Sequence, residues 1–296
     1  MNLQQAQQEM VSQLRTLYED REAATITDWV MEKITGWKKL DRIIHKNMPL
    51  AAEGMEMFRR YTRELLAHRP VQYVLQEAWF AGLKFFVDES VLIPRPETEE
   101  LVDWVAEEAG SLPFPDQAPV SKAPHRGISI LDVGTGSGCI AIALKRRLPG
   151  NPVYACDLSE AALAIAQHNA ASNKADIQFL QLDFLDSSAW ASLPPIQVLV
   201  SNPPYIPVRE KDSMAPHVVG FEPHLALFVP DQDPLVFYRA LAHVGLKKLL
   251  PGGQIFAEIH EGLGAEVVRE FEEAGFHPVS LKKDMQGKDR MIKATR

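Results

Sequence analysis

The sequence predicts an α/β protein: a mostly parallel, seven-stranded sheet with helices on both faces, preceded by a small helical domain and a β-hairpin linker. Three observations predict it. From Ile128 onward, apolar runs alternate with Ala/Leu-rich helical stretches, the pattern of an open parallel sheet. One of these runs, Ile130-Leu131-Asp132-Val133, leads straight into the glycine-rich Gly134-Thr135-Gly136-Ser137-Gly138. Another, Val198-Leu199-Val200, is stopped at Asn202-Pro203-Pro204-Tyr205, where proline cannot continue a sheet ladder.

The elements follow in order. Met10, Leu14, Leu17 and Tyr18 recur at helical spacing. Thr27-Asp28 is expected to cap a helix carrying Trp29, Val30 and Ile34 that ends at Gly36. Leu40, Ile43 and Ile44 mark a further helical stretch, and Met55, Phe58, Tyr61, Leu65 and Leu66 another, with Pro49 between them and Pro70 closing the last. A helical domain therefore spans 1–75. Aromatic and β-branched residues over 77–93 predict a hairpin, placed in a linker at 76–95. Pro94 and Pro96 end it, and Glu97-Thr98-Glu99-Glu100 opens a helix whose acidic start suits the helix dipole. The second domain is placed at 96–296. A loop from 110 to 127, with four prolines, reads as a surface excursion. Strands are expected near 128–133, 153–157, 177–182, 197–201, 254–259, 276–281 and 290–294, and helices near 138–147, 159–172, 234–249 and 262–274. Pro251-Gly252-Gly253-Gln254 reads as a turn before a strand.

Two segments carry chemistry. Glycines 134, 136 and 138 permit a tight turn and close approach of a ligand to backbone N–H groups at a helix N-terminus. The next strand ends in Asp157, placed to accept hydrogen bonds from ribose hydroxyls. A dinucleotide site needs Gly-x-Gly-x-x-Gly, but position 139 is Cys, so pyrophosphate binding is disfavoured and S-adenosylmethionine is the better ligand. At the strand end, Asn202 offers an amide oxygen, Pro203 a carbonyl with no following N–H to compete for it, and Tyr205 a flat face. Two acceptors and a stacking surface suit a planar –NH2 group.

Asp132 to Gly138 resembles motif I of class I S-adenosylmethionine methyltransferases, and Asn202-Pro203-Pro204-Tyr205 resembles their amino-methylating motif IV. That pair alone also fits adenine-N6 DNA methyltransferases. Further segments resemble the protein-(glutamine-N5) methyltransferases that modify peptide chain release factors: Arg69-Pro70-Val71-Gln72-Tyr73, Leu92-Ile93-Pro94-Arg95-Pro96-Glu97-Thr98-Glu99, Phe221-Glu222-Pro223 with Ala226-Leu227, and the tail from Lys283 to Arg290. The likeness runs over roughly residues 20 to 296. It departs at Gln76, where the family usually has glycine, and at Glu258-Ile259-His260, where Glu-Ile-Gly is common.

The resemblance implies a Rossmann-like class I methyltransferase domain with the last two strands antiparallel. It implies S-adenosylmethionine as cofactor, held by Gly134, Thr135, Gly136, Ser137, Gly138, Asp157, Asp183, Phe184 and Asn202, with Phe184 against the adenine. Asn202, Pro203 and Tyr205 are then catalytic, and with Pro204 they receive the substrate. The implied reaction is methylation of the side-chain amide of the glutamine in the Gly-Gly-Gln motif of class I release factors, in translation termination, with the helical domain recognising the substrate. Arg95, Glu97 and Thr98 are candidates to close over the cofactor, and Phe221-Glu222-Pro223 to shape the substrate entrance. His217 and His224 receive no role.

Composition fits this reading. The 296 residues are 46% hydrophobic and 24% charged, ordinary for a globular protein. Cys139 and Cys156 read as small buried residues in a reducing compartment. Nine scattered histidines show no ligand pair, so no metal is expected. No signal peptide or transmembrane stretch is seen, and a cytoplasmic location is expected. The net charge of −8 argues against direct nucleic-acid binding, and the basic runs at 145–147 and 282–283 read as solvated ends. Two alternatives stay open: an adenine-N6 DNA or RNA methyltransferase, and a catalytically silent scaffold.

Overall fold

The computed structural model describes residues 1–110 and 127–296. The expectation for the loop at 110–127 falls on 111–126, outside the described residues. The chain forms two compact units, residues 1–77 with 215–221, and residues 78–214 with 222–296.

The first unit is helical: α1 (Leu3–Leu14), α2 (Asp20–Thr35), α3 (Lys39–Ile44), α4 (Ala52–Leu66) and α5 (Val71–Leu75). Asn2 and Gln5 form a capping box that satisfies the first N–H groups of α1. Met10, Leu14, Val30, Met31, Phe58 and Leu65 pack in one core. Thr27-Asp28 does not cap a helix. α2 starts seven residues earlier, at Asp20, so Thr27 lies buried inside it and Asp28 holds the buried Arg42 at 2.7 Å. The apolar face continues through Ala23 and Ile26, which is why the earlier start wins. Gly36 does end α2, in the left-handed conformation with φ 68°. Gln76 ends α5 in the same conformation, φ 52°, which accounts for the family's usual glycine there.

In the second unit β1 (Ala78–Phe80) and β2 (Leu83–Phe85) form an antiparallel hairpin through Ala81 and Gly82, both at positive φ as a twisted two-residue turn requires. The hairpin is shorter than 77–93, and no strand follows before α6 (Pro96–Ala109). The chain then alternates through β3 (Ile130–Val133), α7 (Cys139–Arg147), β4 (Val153–Asp157), α8 (Glu160–Ser172), β5 (Gln178–Gln181) and β6 (Ile196–Ser201). After β6 come β7 (Ile206–Pro207), α9 (Pro216–Phe221, in the first unit) and β8 (Phe228–Val229). The unit closes with α10 (Val236–Lys248), β9 (Leu249–Glu258), α11 (Gly264–Glu273), β10 (Val279–Lys283) and β11 (Asp289–Thr295).

The seven strands lie in the order β10-β11-β9-β6-β3-β4-β5. β9, β6, β3, β4 and β5 run parallel, and β11 pairs antiparallel with both β9 and β10. β3 and β6 are buried along their whole length as central parallel strands should be, and apolar apart from Asp132 in β3 and Gln197 and Ser201 in β6. β9 begins at Leu249, five residues before its expected start. Its register on β6 jumps from Ile196↔Leu249 to Val198↔Gln254, so the Pro-Gly-Gly stretch bulges within the strand rather than preceding it, with Gly252 at φ 77°.

From β3 the chain builds outward to β4 and β5 on one side, and β6 and β9 lie on the other. The strand order therefore reverses between β3 and β6. Ligands of open α/β sheets bind at the carboxyl ends of the strands flanking such a reversal. Here those ends are the glycine turn and the Asn-Pro-Pro-Tyr tetrad. Among the described residues no helix is long and apolar enough to cross a membrane.

Candidate active site

The glycine turn is held by the strands and helix around it. The Gly134 and Thr135 N–H groups donate to the Cys156 carbonyl at 2.9 and 3.0 Å, tying the turn to β4. Asp132, fully buried, accepts from the Thr135 hydroxyl at 2.7 Å and from the Ala141 N–H at 3.2 Å, joining strand, turn and helix. Its second oxygen, Oδ1, is buried without a partner. Burial raises its carboxyl to about 7 despite those two bonds. Gly138 caps α7 at φ 82°, and a Cβ there would stand 3.0 Å from Ile142 Cδ1 and 3.2 Å from Ala166 Cβ.

Asp157 ends β4, where its Oδ2 accepts from the Gly136 N–H at 2.9 Å and its Oδ1 from the Ser159 N–H at 2.9 Å. The carboxylate is thus oriented by backbone and keeps lone pairs for a further donor. Past β5, Asp183 accepts from the Leu185 N–H at 2.9 Å, while Phe184 is buried with its ring 6.2 Å from that of Trp190.

The tetrad is held by side chains from distant segments. Asn202 Nδ2 donates to Thr98 Oγ1 at 3.1 Å, and that hydroxyl donates to Glu258 Oε2 at 2.7 Å. The Tyr205 hydroxyl donates to the other oxygen, Glu258 Oε1, at 2.8 Å. Thr98 and Glu258 are each 2% exposed, so a buried carboxylate receives one hydroxyl on each oxygen. Burial raises the Glu258 carboxyl above its ordinary value, against those bonds and the charge of Arg290, which favour the carboxylate. Burial, then the negative charge of Glu258, pushes the Tyr205 hydroxyl well above its ordinary value, so it stays protonated and donates.

A cavity of about 250 Å³ joins the two halves. Gly134, Gly136, Asp157, Asp183, Phe184, Asn202, Pro203 and Pro204 line it, with Ser90 to Leu92, Leu158, Leu185, Leu225 and Phe237 among the remaining walls. Four of the residues singled out from the sequence are not in its wall. Thr135 and Ser137 are buried inside the turn, Gly138 supports it from behind, and Tyr205 lies back on the core with its hydroxyl tethered to Glu258. Arg95, Glu97 and Thr98 are not in the wall either. Glu222 takes Arg95 in an ion pair at 2.6 Å and accepts from the Ile93 N–H at 3.3 Å, Glu97 accepts from Gln286 at 3.3 Å, and Thr98 serves Asn202. Pro223 reaches the wall where Glu222 does not. The sequence reading missed Glu258 and the tether role of Thr98. The sequence signal is slight: Thr98 lies in a family-like segment with a different expected role, and Glu258 heads the Glu-Ile-His stretch, which has no expected role.

Comparison with known proteins agrees with this architecture. Residues 119–219 match the family described as Methyltransferase small domain, and residues 5–75 match PrmC N-terminal domain. The crystal structure of the hMettl16 catalytic domain in complex with a MAT2A 3'UTR hairpin shares the fold, with TM-score 0.54, 15% identity and 81% of each chain covered. The sheet order, the glycine turn and these matches define a Rossmann-like class I methyltransferase. Three curated relatives are more specific, each called a release factor glutamine methyltransferase. Those of Flavobacterium psychrophilum and Bacteroides thetaiotaomicron are 38% identical over 96% of both chains, and that of Chlorobaculum tepidum is 40% identical over 87% of this chain and 85% of its own. The chain belongs to the release factor glutamine methyltransferase family.

Proposed function

We propose that the chain methylates the side-chain amide (N5) of the glutamine in the Gly-Gly-Gln motif of class I peptide chain release factors, with S-adenosylmethionine as donor, in the cytoplasm. One observation carries the reading: a single cavity is lined by the glycine turn and Asp157 on one side and by Asn202-Pro203-Pro204 on the other. The lining fits the cofactor. Asp157 is an acceptor for ribose hydroxyls, Phe184 an apolar face for the adenine, and Asp183 and the turn flank them, while Thr135, Ser137 and Gly138 support the turn.

When bound, the cofactor supplies an electrophilic methyl on a sulfonium. The chain's own part is to bring a poor nucleophile to it. An amide nitrogen is weak because its lone pair is delocalised into the carbonyl. Asn202 Oδ1 and the Pro203 carbonyl accept its two N–H bonds and orient it, Pro204 narrows the approach, and Tyr205, anchored through its hydroxyl to Glu258, braces the tetrad from behind. As it takes the methyl, the nitrogen gives up one of its two protons to solvent, so the chain's part is catalysis by positioning and by fixed dipoles, with no covalent intermediate on the protein. The helical domain, placed at 1–75, is read as the recognition element for the release factor.

Asn202→Ala tests the reading. Single-turnover transfer of labelled methyl to release factor should fall about 10²–10³-fold, the usual loss on removing one oriented group at a reacting centre. S-adenosylhomocysteine affinity should weaken only modestly. Near-native transfer by the variant, or robust transfer by the native protein to DNA with none to the factor, would sink it.

A further inference from the structure

We propose that Thr98 and Glu258 are positioning residues that fix which end of the Asn202 amide faces the acceptor nitrogen. The inference rests on the function proposed above and goes one layer deeper into the same site.

The argument is one of hydrogen count. An asparagine side chain has a donor end and an acceptor end of nearly equal size, and packing alone does not distinguish them. For an incoming –NH2 group the distinction decides everything. With Oδ1 presented, Asn202 accepts one of its N–H bonds. With Nδ2 presented, two donors confront each other. Something must therefore hold Nδ2 away from the cavity.

Thr98 Oγ1 is that partner, at 3.1 Å. A threonine hydroxyl could itself serve either end of an amide, since it both donates and accepts. Its single hydrogen, however, is already committed to Glu258 Oε2 at 2.7 Å. Both oxygens of Glu258 accept, Oε2 from Thr98 and Oε1 from Tyr205, so the direction of the chain is set at its far end: Glu258 receives the Thr98 hydrogen, the Thr98 oxygen is left as an acceptor, and Asn202 must turn Nδ2 toward it. The other carboxylate oxygen is occupied by the Tyr205 hydroxyl at 2.8 Å, so Glu258 cannot swing to relieve the constraint without losing a second partner. Glu258 lies in β9 beside the tetrad's strand and Thr98 in the first turn of α6, which Pro96 starts. Both supports are therefore regular elements rather than loops.

Substitutions at Thr98 separate this from a packing role. Thr98→Val keeps the shape and removes the hydroxyl, whereas Thr98→Ser keeps the hydroxyl and removes the methyl. The Val variant should lose at least about tenfold in kcat for release factor methylation, with S-adenosylhomocysteine Kd within about twofold of native. The Ser variant should stay within about threefold of native. The reverse ranking, Val active and Ser impaired, would mean that Thr98 only fills space, and the proposal would be wrong. Where Val proves insoluble, Thr98→Ala against Thr98→Ser isolates the same hydroxyl, and equal rates for those two would overturn it equally. Asn202→Ala is run alongside. If it is inactive while Thr98→Val is fully active, the positioning chain falls and the function stands. If Asn202→Ala is itself active, the function falls first.

Discussion

The two sides of the cavity are held by opposite means. On the glycine side the holds are nearer in sequence and largely backbone: Asp132 takes its donors from three and nine residues away, the turn's N–H groups reach Cys156 and Asp157 on the adjacent strand, and the turn itself is a set of left-handed backbone conformations. On the tetrad side they are remote: Thr98 reaches Asn202 across 104 residues, and Tyr205 reaches Glu258 across 53. Backbone-held geometry forms with the local fold and resists change elsewhere. Side-chain-held geometry exists only once the whole sheet is assembled, and one substitution can undo it while the fold survives. This suits the proposed division of labour, in which one side binds a cofactor and the other aims an amide within a few tenths of an ångström.

The largest effect should come from breaking the glycine side at its buried charge. The Asp132 carboxyl is raised in the fold to about 7 from an ordinary 3.8, so the fold favours its protonated form. Its stabilising contribution is complete below about pH 4 and is lost as pH rises to about 7. Asp132→Asn has no proton to lose. The stability of the variant relative to native should therefore shift in the variant's favour by roughly 3–5 kcal/mol between those limits. Urea unfolding at both pH values reads this, and a pH-independent difference would contradict it.

Asp157→Ala sharpens the contrast with Asn202→Ala. Removing a partner for the ribose should cost about 1–3 kcal/mol in S-adenosylhomocysteine affinity by calorimetry, with little change in turnover at saturating cofactor. Equal losses of affinity in both variants would erase the division between the two sides. The smallest effect is expected at Gly138→Ala. A side chain at φ 82°, with its Cβ 3.0 Å from Ile142, should lower thermal stability by about 1–2 kcal/mol. A neutral result would show that the turn relaxes freely and is less rigid than its hydrogen bonds imply.

The same contrast explains what could be read in advance. β4 falls on 153–157 as expected, because Val153 to Asp157 is a short apolar run bounded by Pro152 and by the Ser159 cap of the next helix. The glycine turn is likewise written in adjacent residues, and Asp157 is marked by the end of the next strand. Thr27-Asp28 misled because a capping pair and a mid-helix pair look alike until Arg42, fourteen residues on, claims the carboxylate. β9 begins before its expected start because a strand carrying Pro251, Gly252 and Gly253 contradicts strand propensity, and only pairing with β6 rescues it. The two-residue strands β7 and β8, and α9, carry too little periodicity to register. Thr98 and Glu258 were the hardest. Nothing in local spacing says that residues 160 apart share a proton, and each alone resembles an ordinary helix start or strand end.

Both of the chain's cysteines sit against the glycine turn, Cys139 as the first residue of α7 and Cys156 in β4, whose carbonyl receives the turn's N–H groups. Burial pushes the Cys139 thiol up to about 12 and the Cys156 thiol higher still, so neither is a nucleophile while the turn is closed. Alkylating reagents therefore react only through fluctuations that expose this segment. The protein carries two native clocks for the breathing of its own ligand pocket, with no engineered label and no competing thiol elsewhere in the sequence.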